Sequence, residues 1–434
     1  MDVRIGIRRE DKSKWERRVP LVPEHARDLV EQGIAVTVQP SDIRIFPADD
    51  YLKAGADVAE DLSGCPVVFA VKEIPASLFE ENRAYMFFSH TIKGQPYNMP
   101  MLARLMELNC TLIDYERVVD DQGRRLIFFG WHAGVSGMIE TLHGTGQLLA
   151  ARGIPNPFEA VKQPFEYDTI REIKVALDVV GRWIGSSGLP EPLVPFVAGF
   201  AGYGNVSQGA QEMYDVLPVT EITPAELATI SADTPGAAHT VFKVVFKESD
   251  MVVPREQDGR FELQEYYDHP ERYTGIFDRY LPHLSVLVNC IYWDERYPRL
   301  VTTEYLRSRW KGTRLLAIGD ISCDIDGSIE VTRKITDPGS PVFIYDVDRD
   351  EIVDGWQGNG PLIMAVDILP SEIPRDASAY FSTILKEYIP AIARADFTAG
   401  FDDLALPAPI KRAVIVHQGR LTPEYEYIAN YLRK

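Results

Sequence analysis

Five polar side chains sit beside apolar runs in the first part of the chain. Arg18 lies in the loop after VRIGI, Lys72 follows PVVFAV, His90 follows AYMFFS, Glu116 follows TLIDY, and Arg125 opens RLIFFG. A histidine exchanges protons near neutrality, a lysine does so where its surroundings lower its pKa, and arginine forks suit carboxylates. Singly, a Lys or Glu after a strand reads as a solvated loop residue and a lone His as structural. Jointly they share a position, because ligands of open α/β sheets gather at the carboxyl ends of the strands. The pattern predicts that residues far apart in sequence converge on one cleft.

The sharpest local signal is LVPFVAGFAGYGNVSQGAQEMYDVL, which reads as a buried strand, a tight turn and a helix starting near Asn205. Gly202 and Gly204 permit close chain approach, and the first helical N–H groups, at Asn205, Val206 and Ser207, can meet a pyrophosphate. Ser207 stands where GxGxxG has its third glycine, with Gly209 two residues later. The motif alone is weak; its place between strand and helix points to a dinucleotide. Glu221 and Glu226 lie 17 and 22 residues beyond Gly204, where an acid would take the ribose hydroxyls of NAD. The alternative leaves both solvated, with Thr220, Thr223 or a distant basic residue holding a 2′-phosphate. Asp320, Ser322 and Asp324 follow another apolar run. Without EF-hand order or an HxH or HExxH partner no metal is expected, and an acid touching the nicotinamide or ribose side of a cleft is the better reading.

The elements that must position these residues alternate. Apolar runs at 3–7, 34–38, 66–71, 84–88 and 111–115 are separated by helix-compatible stretches such as PEHARDLVEQG, the signature of a mostly parallel sheet covered on both faces. A helix over ETLHGTGQLLAARG leads into the second unit. After GPLIMAVDILPSEIP a long amphipathic helix returns to complete the first. The fold class is α/β, two Rossmann-like domains with an active-site cleft between them. Residues 1–140 and 328–434 form the substrate domain, and 141–327 the dinucleotide domain.

The 434 residues carry 45 Lys+Arg against 64 Asp+Glu, a formal charge of -19 with no basic block, so nucleic acid is a poor partner. The charged start and the lack of long apolar stretches predict neither a signal peptide nor a membrane span. Cys65, Cys110, Cys290 and Cys323 show no CxxC spacing; they read as buried thiols in a reducing compartment, and a cytoplasmic location is expected.

Through FFSHTIKGQPYNMPML, LIDYERVVDDQGRRLIFFGWHAGVSGMI, GYGNVSQGAQ, HPERY, IYWDERYPRLVT, GDISCDIDGSIE and VDILPSEIP, the chain resembles the lysine-ketoglutarate reductase (lysine-forming saccharopine dehydrogenase) domain of α-aminoadipic semialdehyde synthases. More distantly, through ERRVPLVP, it resembles alanine dehydrogenase and the transhydrogenase nucleotide-binding subunit. The resemblance implies reductive condensation of lysine with 2-oxoglutarate to saccharopine, and the reverse oxidation. Lys72 and His90 would transfer protons, Glu116 would tune the lysine, Arg18 and Arg125 would bind substrate carboxylates, and Asp320 would approach the nicotinamide. It favours NADP(H) over NAD(H), whereas the acids after the nucleotide helix favour NAD(H). A homodimer and a separate glutamate-forming saccharopine dehydrogenase are expected partners. A dehydrogenase for another amine and oxoacid pair is the alternative.

Overall fold

A computed structural model describes residues 3–256 and 259–432. The chain forms two compact units, one made of Met1–Phe129 with Pro374–Lys434, the other of Gly130–Ile373.

The first unit begins with β1 (Arg4–Ile7), β2 (Ala35–Val38), β3 (Asp57–Val58), β4 (Val67–Phe69), β5 (Ala84–Phe87) and β6 (Thr111–Asp114). These short, largely buried runs pair in parallel in the order β6-β5-β4-β1-β2-β3. Strand order reverses between β1 and β4. The crevice beyond their carboxyl ends is therefore the topological switch point, where such sheets bind ligands.

The second unit contributes β7 (Val197–Ala201), β8 (Val219–Ile222), β9 (Val241–Phe246), β10 (Val252–Pro254), β11 (Tyr273–Gly275), β12 (Val286–Asn289), β13 (Ala317–Asp320), β14 (Val342–Asp346), β15 (Glu351–Asp354) and β16 (Leu362–Met364). Strands β10 and β11 form a small antiparallel ribbon. The others build an eight-stranded sheet in the order β15-β14-β16-β13-β12-β7-β9-β8. Its core is parallel, and β14 runs antiparallel to both neighbours. Strand β9 lies between β7 and β8, pairing in parallel with each.

The chain then re-enters the first unit through helix Pro374–Leu385 and adds β17 (Val414–His417), antiparallel to β6, and β18 (Arg420–Leu421). The domain boundaries expected from sequence need correction on both sides. Residues 328–373 stay in the second unit because β14 and β16 extend its sheet, and 130–140 belong there as the first half of helix Gly130–Ala151.

That helix begins inside the glycine-rich segment GWHAGVSGM. From Gly134 through Leu142 every residue is buried, about two and a half turns, so it is covered on all faces. The glycines let backbones touch. A Cβ at Gly134 would run into the Val206 carbonyl and lie 2.8 Å from the Ala210 nitrogen, and one at Gly209 would meet the Trp131 carbonyl. Helix Asn205–Tyr214, which follows the glycine turn, is thereby locked against the long helix.

The same helix buries Glu140 beside Glu372. Gln163 Nε2 donates to one Glu140 oxygen at 2.9 Å. Among the described residues the other Glu140 oxygen and both Glu372 oxygens find no protein hydrogen-bond donor. A shared proton satisfies such a pair: burial, then the Glu140 charge, drives the Glu372 carboxyl well above its ordinary 4.5. Among the described residues no helix is long and apolar enough to cross a membrane.

Two outcomes are expected in thermal unfolding. Helix propensity alone would make Gly134→Ala stabilising by ~1 kcal/mol, but overpacking against backbone should destabilise by ~1–3 kcal/mol, so a raised melting temperature would contradict the interlock. A carboxyl raised in the folded state leaves stability intact below its unfolded value and erodes it as pH rises toward the folded value. The parent protein should therefore lose stability as pH climbs from 4.5 toward alkaline conditions, whereas Glu372→Gln should show a flatter profile; parallel profiles would remove the shared proton.

Candidate functional site

In the first unit, the switch point is filled by charge. Strand β1 delivers Glu10, whose carboxylate accepts the Val71 N–H at 2.6 Å and the Lys72 N–H at 3.0 Å beyond β4. Glu10 thus ties the two strand ends together. Burial, then the Glu16 charge, pushes its carboxyl up to about 7. Arg18 donates through Nε (2.7 Å) and one terminal nitrogen (2.6 Å) to both oxygens of Glu16, with both side chains 3% exposed. Burial alone would raise Glu16, but the Arg18 charge and hydrogen bonds hold it below its ordinary value. The guanidinium also lies 4.4 Å from the Phe129 ring centroid. The loop carrying it is fixed from the C-terminal segment, because Val19 N–H donates to Ser378 Oγ and Val22 N–H to Ser382 Oγ, both at 3.0 Å.

Lys72 stands among these groups. Burial first, and the Arg18 charge next, lower its pKa, against the opposing pull of Glu16 and Glu73. His90 takes a left-handed backbone at φ 48°, and its Nδ1 lies 2.7 Å from Glu73 Oε1. Lys12 Nζ reaches the other Glu73 oxygen, also at 2.7 Å. Although burial opposes it, hydrogen bonds from His90 and Lys12 bring the Glu73 carboxyl down to about 2. An ionised carboxylate only accepts, so Nδ1 carries the hydrogen and Nε2 is the atom through which the ring exchanges protons. Phe88 stacks under the imidazole with 6.3 Å between centroids.

Glu116 and Arg125 form a separate pair. They are bound to each other, and Arg125 is half exposed. The Glu116 backbone N–H donates to Asp114 at the end of β6 at 2.7 Å. Burial raises Asp114 to about 6, against the hydrogen bond from Ser89. The expectation that Glu116 tunes Lys72 therefore gives way: the carboxylates acting on Lys72 are Glu16 and Glu73. Glu10, Glu16 and Glu73 are absent from the residues expected at the site, although all three stand in the loops after β1 and β4, RREDKSKWERR and VKEIP, and a base held in a buried site requires a neighbouring acid.

The second unit contains the glycine turn. Gly202 adopts φ 94° and packs against Ile291 and Cys290. A Cβ at Gly204 would face open space. Helix Asn205–Tyr214 has Gly204 at its N-cap and no side-chain cap, so the N–H groups of Asn205, Val206 and Ser207 are presented at that open face. Ser207 itself is buried, its hydroxyl accepting from Gln211 at 2.8 Å. A cavity of about 410 Å³ spreads from Gly202, Tyr203 and Gly204 to residues following β9 and β12, including Glu248, Tyr266, Tyr267, Ile291 and Arg299. These features fit a dinucleotide pyrophosphate and one of its nucleosides.

The three acids expected at the cofactor, Glu221, Glu226 and Asp320, do not line this cavity. Glu221 is on β8, one strand removed from the turn, and pairs at 3.0 Å with Lys243, which also holds Asp215 at 2.8 Å. Glu226 closes a local turn with Thr223. Asp320 is buried at the end of β13, outside the cavity lining, and accepts from Asn289 (2.8 Å), Thr332 (2.6 Å) and the Cys323 N–H (3.2 Å). Burial raises it to about 6 despite those donors. Among the described residues no cluster of three or more His, Cys, Asp or Glu side chains is arranged for a metal ion.

Residues 6–136 match the alanine dehydrogenase/PNT N-terminal domain. The chain is 38% identical over 441 aligned positions to alpha-aminoadipic semialdehyde synthase of Arabidopsis thaliana, covering 98% of this chain and 41% of that one. The mitochondrial synthase of Mus musculus is 34% identical, with 98% and 47% covered. The chain thus spans less than half the length of these synthases. The saccharopine dehydrogenase [NAD(+), L-lysine-forming] of Emericella nidulans is 26% identical, with 88% of this chain and 90% of that one covered. The mitochondrial relatives, among them those of Mus musculus, Rattus norvegicus and Bos taurus, overturn the expectation of a cytoplasmic location. A solved L-alanine dehydrogenase superposes with a TM-score of 0.64 at 17% identity over 99% of both chains. The chain is therefore an α/β protein of the alanine dehydrogenase/transhydrogenase fold that matches, over nearly its whole length, the saccharopine-dehydrogenase region of the bifunctional α-aminoadipic semialdehyde synthases.

Proposed function

We propose that the chain condenses the side-chain amine of L-lysine with 2-oxoglutarate and reduces the product to saccharopine, and runs the reverse oxidation, with a nicotinamide dinucleotide bound at Gly202–Ser207. The observation that carries the chemistry is the switch-point cluster, in which a lysine of lowered pKa and a histidine backed by Glu73 stand with an arginine that forks onto a buried carboxylate. The match to the synthases and to L-lysine-forming saccharopine dehydrogenases supports lysine and saccharopine as the substrates. The bound cofactor supplies the hydride, and the protein supplies placement and protons.

In this reading Arg18 offers a substrate carboxylate Nη1, the guanidinium nitrogen that Glu16 does not take, and Arg125 offers a second anchor at the rim. Lys72, depressed by burial and by Arg18, receives the proton from the incoming ammonium, so the amine nitrogen can attack the ketone carbon. His90 Nε2 passes a proton to the departing hydroxyl; water leaves and the C=N bond forms. Hydride addition to that carbon leaves a secondary amine. Orienting the two substrates converts a bimolecular condensation into a local one, worth several kcal/mol. Of the two cofactors, resemblance to the bifunctional synthases favours NADP(H), while the fungal relatives are NAD(+) enzymes by name.

Initial rates with lysine, ornithine or alanine crossed against several oxoacids test the substrates. Lysine with 2-oxoglutarate should give the highest kcat/KM, and a preference for alanine with pyruvate would reject the assignment. Lys72→Met and His90→Gln should each lower turnover by about 10²–10⁴-fold with dinucleotide affinity unchanged; near-parent turnover across the pH range in both would end their assignment. Glu73→Gln replaces the carboxylate that accepts from His90 Nδ1 with an amide that can present the wrong hydrogen-bonding atom to the ring, so turnover should fall with dinucleotide affinity unchanged. Parent turnover in this variant would mean that Glu73 only shapes the loop.

A further inference from the structure

The order of strands in the second unit changes which acid can reach a nucleoside. In doubly wound dinucleotide domains the selecting acid ends the strand beside the glycine-turn strand. Here that neighbour is β9, not β8, since β7 pairs with β9 from Val197 opposite Phe242 to Ala201 opposite Phe246. Strand β9 ends at Phe246, and two residues on stands Glu248, which lines the same cavity as Gly202, Tyr203 and Gly204. Tyr267 donates its hydroxyl to Glu248 Oε1 at 2.8 Å, which fixes the carboxylate against the cavity wall. The cavity is otherwise tyrosine-rich and apolar, a surface for a base to stack on.

The cations near the cavity point the same way. Arg299 is the cationic side chain in the cavity lining. Its guanidinium is already divided between Glu330 (2.9 Å), the Gly327 carbonyl (3.1 Å) and the Asp326 carbonyl (2.8 Å). A ribose diol can donate to Glu248. A 2′-phosphate, carrying nearly two negative charges, would face that carboxylate, and among the described residues of the lining no uncommitted cation offsets it.

We propose that Glu248, presented by the inserted strand β9, is the specificity-determining residue of the cofactor site and selects NADH over NADPH by accepting the adenosine ribose hydroxyls. This rests on the reading of the second unit as a nicotinamide-dinucleotide domain, and it reverses the preference for NADP(H) drawn from resemblance.

Dissociation constants for NADH and NADPH, measured by calorimetry without substrate on the full chain, test it. The parent protein should bind NADH at least tenfold more tightly than NADPH. Glu248→Gln, an isosteric change at a cavity rim, should bring the two within about threefold, while Glu221→Gln should leave the ratio at its parent value. Thermal unfolding of each variant confirms that the comparison is between folded proteins, and Tyr267→Phe, which frees the carboxylate without removing it, should keep NADH preferred. Equal or tighter NADPH binding by the parent, an unchanged ratio in Glu248→Gln, or a collapse of the ratio in Glu221→Gln would each overturn the proposal. Failure of the folded parent to bind either dinucleotide would overturn the domain reading, and the proposal with it.

Discussion

The second unit depends on how closely other chain segments can approach one buried helix. Helix Gly130–Ala151 has no solvent face through its middle, so whatever packs on it must do so without leaving voids. Glycines make this possible on several sides: Gly134 and Gly209 bring it against the nucleotide helix, Gly146 against the backbone at Phe158, and Gly319 of β13 against Thr141. Small residues at these points exchange side-chain volume for backbone contact. The third glycine of a dinucleotide motif ordinarily lets helix and strand approach. Here Gly209, displaced by two positions, lets helix meet helix. Ser207 is then free to be a buried hydroxyl that receives Gln211.

The first unit depends on balanced charge rather than on close backbone approach. An isolated buried charge is expensive, and proteins retain one by pairing it. The switch point therefore holds Glu10, Glu16 and Glu73 alongside Arg18, Lys72 and His90. Basic residues after strands were legible from sequence because their types suggest anion binding. The acids were not, because an acid in a charged loop looks like solvated surface until the chain folds it under a neighbour. Glu116 illustrates the opposite error. It lies at a strand end like the others, but its partner is Arg125, nine residues on in the same local excursion, and no property of the sequence decides between that partner and Lys72.

Element positions were readable and element order was not. Short Val- and Ile-rich runs mark buried strands, and β1, β2, β4, β5 and β6 fall within the expected runs. Which strand pairs with which is decided by contacts between segments tens of residues apart. Two differences have this origin. The antiparallel hairpin of β14 and β15 extends the second sheet instead of returning the chain to the first, which moves the boundary to Pro374. The insertion of β9 between β7 and β8 moves Glu221 away from the glycine turn, although its spacing from Gly204 suits a ribose contact. Spacing along the chain locates such an acid only if the strand order is assumed.

The proposed chemistry follows from an asymmetry in the first unit that no single residue displays. Lys72 has its burial and Arg18 acting to discharge it, with Glu16 and Glu73 opposing. His90 has an ionised carboxylate on one ring nitrogen and presents the other. Two proton carriers placed in contrasting surroundings can hold opposite states at one pH, which condensation requires, since one group must take a proton from the amine while another gives one to the leaving hydroxyl. Glu73 belongs to both environments, binding His90 and acting on Lys72. The two carriers therefore meet at one carboxylate, so a change at Glu73 reaches both.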